Sequence, residues 1–93
     1  MIIAYGNINF HIPSSNSLKE KRRVLQSIIS KLKNSFNISL CEIEGQDTWQ
    51  YVGLGFVGVA NKKYILESML NQIEEKLNDN YEINLINFEI EYI

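Results

Sequence analysis

Cys41, His11 and Asp47 form the only trio in the chain that could suggest nucleophilic catalysis, and the sequence holds just one cysteine and one histidine. A thiol becomes a working nucleophile when an imidazole lies within hydrogen-bond reach of it. Cys41 and His11 fall in segments that read as the second and first strands of a sheet in which a third strand separates them. That order holds the two roughly 9.5 Å apart, too far for a thiol-imidazole hydrogen bond. Cys41 therefore reads as a buried thiol and His11 as a histidine at a loop end. One cysteine and one histidine also fall short of a zinc ligand set. We expect no catalytic residues, no metal and no cofactor.

Two other clusters could bind rather than react. Lys19, Lys21, Arg22 and Arg23 occupy the first two turns of a predicted helix, where cations are unfavourable by roughly 0.3 to 1 kcal/mol each because the helix start already carries partial positive charge. On a helical wheel Lys19, Arg22, Arg23 and Lys33 share one exposed side and Lys21 flanks the buried stripe. Free N–H groups with basic side chains around them suit an anion or a phosphate backbone. The plain alternative is a solvated face with Glu20 pairing Arg23. Gln46, Asp47, Trp49 and Gln50 sit at a strand entrance. They read either as a polar turn with a half-buried tryptophan or as a contact surface, since tryptophan is enriched at interfaces and at stacking platforms.

The elements that must position these residues follow from periodicity. Ile2, Ala4, Gly6, Ile8, Phe10 and Ile12 alternate with polar neighbours, the pattern of a strand with one buried face, and Pro13 ends it. Ser17 and Glu20 form an S-x-x-E capping box. It opens a helix to about Asn34 with Leu18, Leu25, Ile28, Ile29 and Leu32 as its stripe. Ile38 to Ile43 predicts a second strand, Gly45 to Asp47 a turn, and Trp49 to Ala60 a third strand. Asn61 can cap a second helix with Ile65, Leu66, Met69, Leu70, Ile73 and Leu77 buried. The last strand runs from about Tyr81 to Tyr92, with Ile86, Phe88, Ile90 and Tyr92 on one side.

This is a single domain, residues 1–93, of the α+β class. We expect a ferredoxin-like β-α-β-β-α-β sandwich, a four-stranded antiparallel sheet in the order 4-1-3-2 with two helices on one face. Strands one and three are taken to run parallel, which puts the His11 to Ser17 loop and the Gln46 to Gln50 turn at opposite poles, roughly 20 to 30 Å apart.

Apolar residues make up 45% of the chain and charged ones 22%, the mixture of an ordinary globular domain. The net charge of −2 hides an asymmetry. Residues 1–34 carry six basic side chains against Glu20, giving +5, and the remainder carries three against ten acids, giving −7. Net acidity argues against non-specific nucleic-acid binding, yet a local positive pole can hold an anion. The lone cysteine and a start lacking a basic n-region imply a cytoplasmic protein, and no apolar run reaches the roughly 20 residues of a membrane helix.

The run from His11 to Leu25, followed by Phe36-Asn37 and by Gln46-Asp-Thr-Trp-Gln50, resembles the YlxP-like family of small bacterial proteins, a domain of unknown function. The resemblance covers essentially the whole chain. It implies a ferredoxin-like fold and, from genes that commonly lie among those for translation factors and ribosome maturation, work on RNA or the ribosome. The chain departs from the family at Ser35 and Tyr51, where relatives often carry a basic residue, so any anion is held here by fewer charges. Val52 to Val59 partly matches an RNA-recognition strand motif. Its basic first position is Val52, however, and two of its aromatics are Leu54 and Val59, so Phe56 reads as core.

Two functions remain from the sequence. The first is a non-catalytic binding protein that contacts RNA or ribosomal particles through Lys19, Lys21, Arg22, Arg23 and Lys33, while His11, Gln46, Asp47, Trp49 and Gln50 are interaction candidates at a separate site, for a dimer contact or a stacking surface. The second is a homo-oligomeric interaction module, a dimer that covers an open sheet face bearing Ile3 and Tyr5 or an edge strand, without nucleic acid.

Overall fold

A computed structural model describes residues 1–93. The chain runs β1 (Ile2–His11), α1 (Leu18–Ser35), β2 (Ile38–Glu44), β3 (Tyr51–Ala60), α2 (Lys63–Asp79) and β4 (Asn84–Tyr92). The four strands form one sheet in the order β2-β3-β1-β4, with every neighbouring pair antiparallel. This is the ferredoxin-like arrangement expected from the sequence.

One core of 17 buried residues lies between the sheet and the helices. Ala4, Ile8, Phe10 and Ile12 of the first strand segment and Val52, Leu54 and Phe56 of β3 meet Val24, Leu25, Ile28 and Leu32 of α1 and Leu66, Leu70, Ile73 and Leu77 of α2. Phe56 belongs to this core, edge-on to Phe88 with ring centroids 5.6 Å apart. The opposite face of the sheet carries no helix. Neither helix is long and apolar enough to cross a membrane.

Five local readings change. Ile65, expected in the buried stripe of α2, is 43% exposed. Helix α2 is capped at Lys62 without a side-chain hydrogen bond, so Asn61 is not its cap. Cys41 is exposed, because it pairs with Gly55 on the uncovered face while Leu40 points inward. Tyr81 precedes β4, and Ile86 is exposed rather than buried. A register shift between Asn9 and Phe10 brings Leu85, not Ile86, opposite Phe10, so the alternation in the last strand slips by one residue there.

The largest change concerns strand direction. Strands β1 and β3 are antiparallel, with His11 opposite Tyr51. The chain goes up β1, returns through α1, goes up β2, and reverses at the β2–β3 hairpin, so β3 must run down beside β1. The end of β1 therefore adjoins the start of β3. The two loops expected at opposite poles occupy one pole.

Candidate functional site: the shared pole

Lys21 organises this pole. It lies at the centre of the buried stripe of α1, four, seven and eleven residues before Leu25, Ile28 and Leu32, and its side chain is only 2% exposed. Its ammonium pairs with Glu42 Oε2 at 2.8 Å and donates hydrogen bonds to the carbonyl oxygens of Thr48, at 2.9 Å, and Gly45. The ammonium is thus enclosed by one carboxylate, as an ion pair, and by two carbonyl oxygens that accept its hydrogen bonds. A buried cation so satisfied is not available to an outside anion, which removes Lys21 from the expected phosphate site.

The same contacts shape the β2–β3 turn. Gly45 is the one residue with positive φ, at 82°, and its carbonyl also accepts from the Thr48 amide at 3.0 Å and the Thr48 hydroxyl at 2.9 Å. Gln50 ties the turn to the other loop. Its Nε2 donates to the carbonyls of Pro13 and Ser15, at 3.1 and 3.0 Å, and its own carbonyl accepts from the Ile12 amide at 2.7 Å. Gln50 is therefore a structural clamp between the two motifs.

What this framework presents to solvent is Trp49, 54% exposed. His11, half-buried, joins Asp47, Thr48, Trp49, Gln50 and Tyr51 around one shallow depression. Gln46 is exposed at the tip of the turn. Lys19 and Arg22, also exposed, flank Lys21 in the first turns of α1 and so stand at the same pole. The capping box forms, with Ser17 Oγ accepting from the Glu20 amide at 3.1 Å. The Glu20 carboxylate accepts from the Asn16 amide at 2.8 Å and does not pair with Arg23. Arg23 reaches across to Glu82 instead, at 3.1 Å, in an exposed pair worth at most about 1 kcal/mol. Lys33 sits in the last turn of α1, about 20 Å along the axis from Lys19, and belongs to the other end of the helix.

The residues that sequence reasoning missed are Glu42, Gly45 and Thr48, the partners of Lys21. One signal was present. A lysine in step with Leu25, Ile28 and Leu32 has to bury its ammonium or break the stripe. The glycines that make Val52 to Val59 resemble an RNA-recognition strand also have a local explanation. A Cβ at Gly53 would meet Glu44 Cβ at 2.8 Å, and one at Gly55 would meet Ile43 Cγ2 at 3.2 Å, where β2 bulges over β3. No group of three or more His, Cys, Asp or Glu is placed to hold a metal ion.

Fold and pole together define a small ferredoxin-like domain in which two sequence motifs meet at one rigid end under an exposed tryptophan. The family model described as "Protein of unknown function (DUF503)" matches residues 3–90. "Uncharacterized protein YlxP" of Bacillus subtilis (strain 168) is 36% identical over 72 residues, covering 77% of this chain and 78% of that protein. The chain belongs to the DUF503 family, the YlxP-like proteins.

Proposed function

We propose that the protein is a non-catalytic binding protein that contacts RNA, free or within a ribosomal particle, through the shared pole. Lys19, Arg22 and Arg23 would lie against phosphates and Trp49 against a base. The observation that carries this reading is the exposed Trp49 on a turn fixed from both sides, by Lys21 and by Gln50, beside a helix start with three surface cations. A rigid aromatic loses little conformational freedom when it stacks, and stacking tolerates any base. Backbone contact without sequence readout fits so few charges. The homo-oligomeric reading draws on a different observation, the exposed apolar side chains Tyr5, Val57 and Val59 on the open sheet face.

Replacing Lys19, Arg22 and Arg23 with glutamate is expected to abolish co-sedimentation with ribosomal particles, and the wild-type interaction should weaken steeply as salt rises. All three side chains are exposed, so the variant keeps its melting temperature within a few degrees. Salt-insensitive sedimentation that survives the triple substitution removes the RNA reading. Light scattering addresses the other reading, for which a strict monomer at high concentration would be decisive against it.

A further inference from the structure

The strands and the helices divide the charge between them. All nine lysines and arginines lie on α1, on α2 or at the cap of α2. The four strands carry Glu42, Glu44, Glu89 and Glu91 and no cation. Glu42 turns inward to Lys21. The other three stand on the uncovered face, where Glu91 is opposite Tyr5, Glu89 is opposite Asn7, and Glu44 lies over Gly53. Among them are Tyr5, Ile43, Val57 and Val59, each 43 to 46% exposed, with Tyr5 paired to Val57 and Ile3 to Val59 across β1 and β3. An apolar strip edged by carboxylates with no counter-ion of its own is a surface built for a partner that brings the cations.

We infer that the open sheet face is a docking surface for a basic amphipathic segment of another protein, whose apolar side chains cover Tyr5, Val57 and Val59 and whose lysines or arginines pair with Glu89, Glu91 and Glu44. Charge decides against the other occupants. A second copy stacked face to face would set glutamates against glutamates, and like charges brought together across an interface are costly. A nucleic acid would meet the same carboxylates with its phosphates. The inference does not rest on the RNA reading, since it uses the opposite layer of the molecule and none of Lys19, Arg22, Arg23 or Trp49.

The test uses a short synthetic amphipathic helix with leucines on one face and lysines beside them, and its counterpart with glutamate in place of lysine. Amide shifts in the full-length protein locate the binding, and anisotropy of labelled peptide measures it. The lysine peptide should shift residues of β1, β3 and β4 on the open face, and the glutamate peptide should not. The double substitution E89K/E91K should weaken the lysine peptide by about tenfold or more and give the glutamate peptide a measurable affinity. The milder E89Q/E91Q, with both side chains exposed and no buried partner, should fall between the two while melting as wild type. Shifts confined to the shared pole, equal binding of both peptides, or no effect of either substitution would overturn the inference. So would a concentration-dependent dimer whose interface maps to this face.

Discussion

Lys21→Met should lower stability by about 3 kcal/mol, the lower end of what removing one member of a buried ion pair costs, because Glu42 keeps some contact with solvent. For a domain of this size that is a fall in melting temperature of roughly 12 to 24 °C. Methionine fills the volume of the lysine stem, so the loss comes from polar groups and not from a cavity. The Glu42 carboxylate loses its counter-ion, the Thr48 carbonyl loses the lysine's hydrogen bond, and the Gly45 carbonyl keeps only its two bonds from Thr48. The double variant K21M/E42L removes the stranded carboxylate and should recover part of the loss. Thermal unfolding followed by circular dichroism measures both. If K21M melts within a few degrees of wild type, Lys21 is not what holds the β2–β3 turn to α1.

Gly6→Ala should cost about 3 kcal/mol, the upper end of overpacking, although it adds a single methyl group. Gly6 sits in the middle of β1, and a Cβ there would lie 1.8 Å from the Glu89 carbonyl oxygen, 2.9 Å from its carbon and 3.1 Å from Phe56 Cε1. Two of those atoms are backbone of β4, so the methyl is accommodated only if β4 moves off β1, at the expense of the hydrogen bonds between them. Gly58→Ala is the control, because its Cβ meets first the flexible end of Met69 at 3.1 Å, and it should cost under about 1 kcal/mol. Denaturant unfolding of both variants checks the contrast. Equal midpoints would show that β4 has room at Gly6.

Much of this fold is legible in the sequence because one period dominates each element. Ala4, Ile8 and Phe10 of β1, Leu25, Ile28 and Leu32 of α1 and Leu66, Leu70, Ile73 and Leu77 of α2 fall in the core, with Ile2, Ile29 and Met69 packed against it. The departures have local causes. A register shift near Phe10 moves Ile86 outward, which no alternation rule can see. Lys21 is the instructive case. Its charge suggests a solvated or ligand-binding side chain, while its position in the stripe puts it inside, and the partners that make burial tolerable come from residues more than 20 positions away. Strand direction was also within reach, since a crossover followed by a hairpin fixes β3 antiparallel to β1. That one step turns two separate motifs into a single surface joined by Gln50. The exposure of Trp49, by contrast, follows only from how the turn is held, and no residue type or spacing shows it.

The emission of Trp49, the sole tryptophan in the chain, reports on the shared pole alone. Titrating the protein with single-stranded RNA while following that emission is the most direct test of the pole as a recognition surface. RNA bound at this pole should give saturable quenching that weakens steeply with added salt and disappears in the K19E/R22E/R23E variant, whose melting temperature stays near that of wild type. Emission that is indifferent to RNA at low salt, or quenching that is the same in the charge-reversed variant, would contradict it.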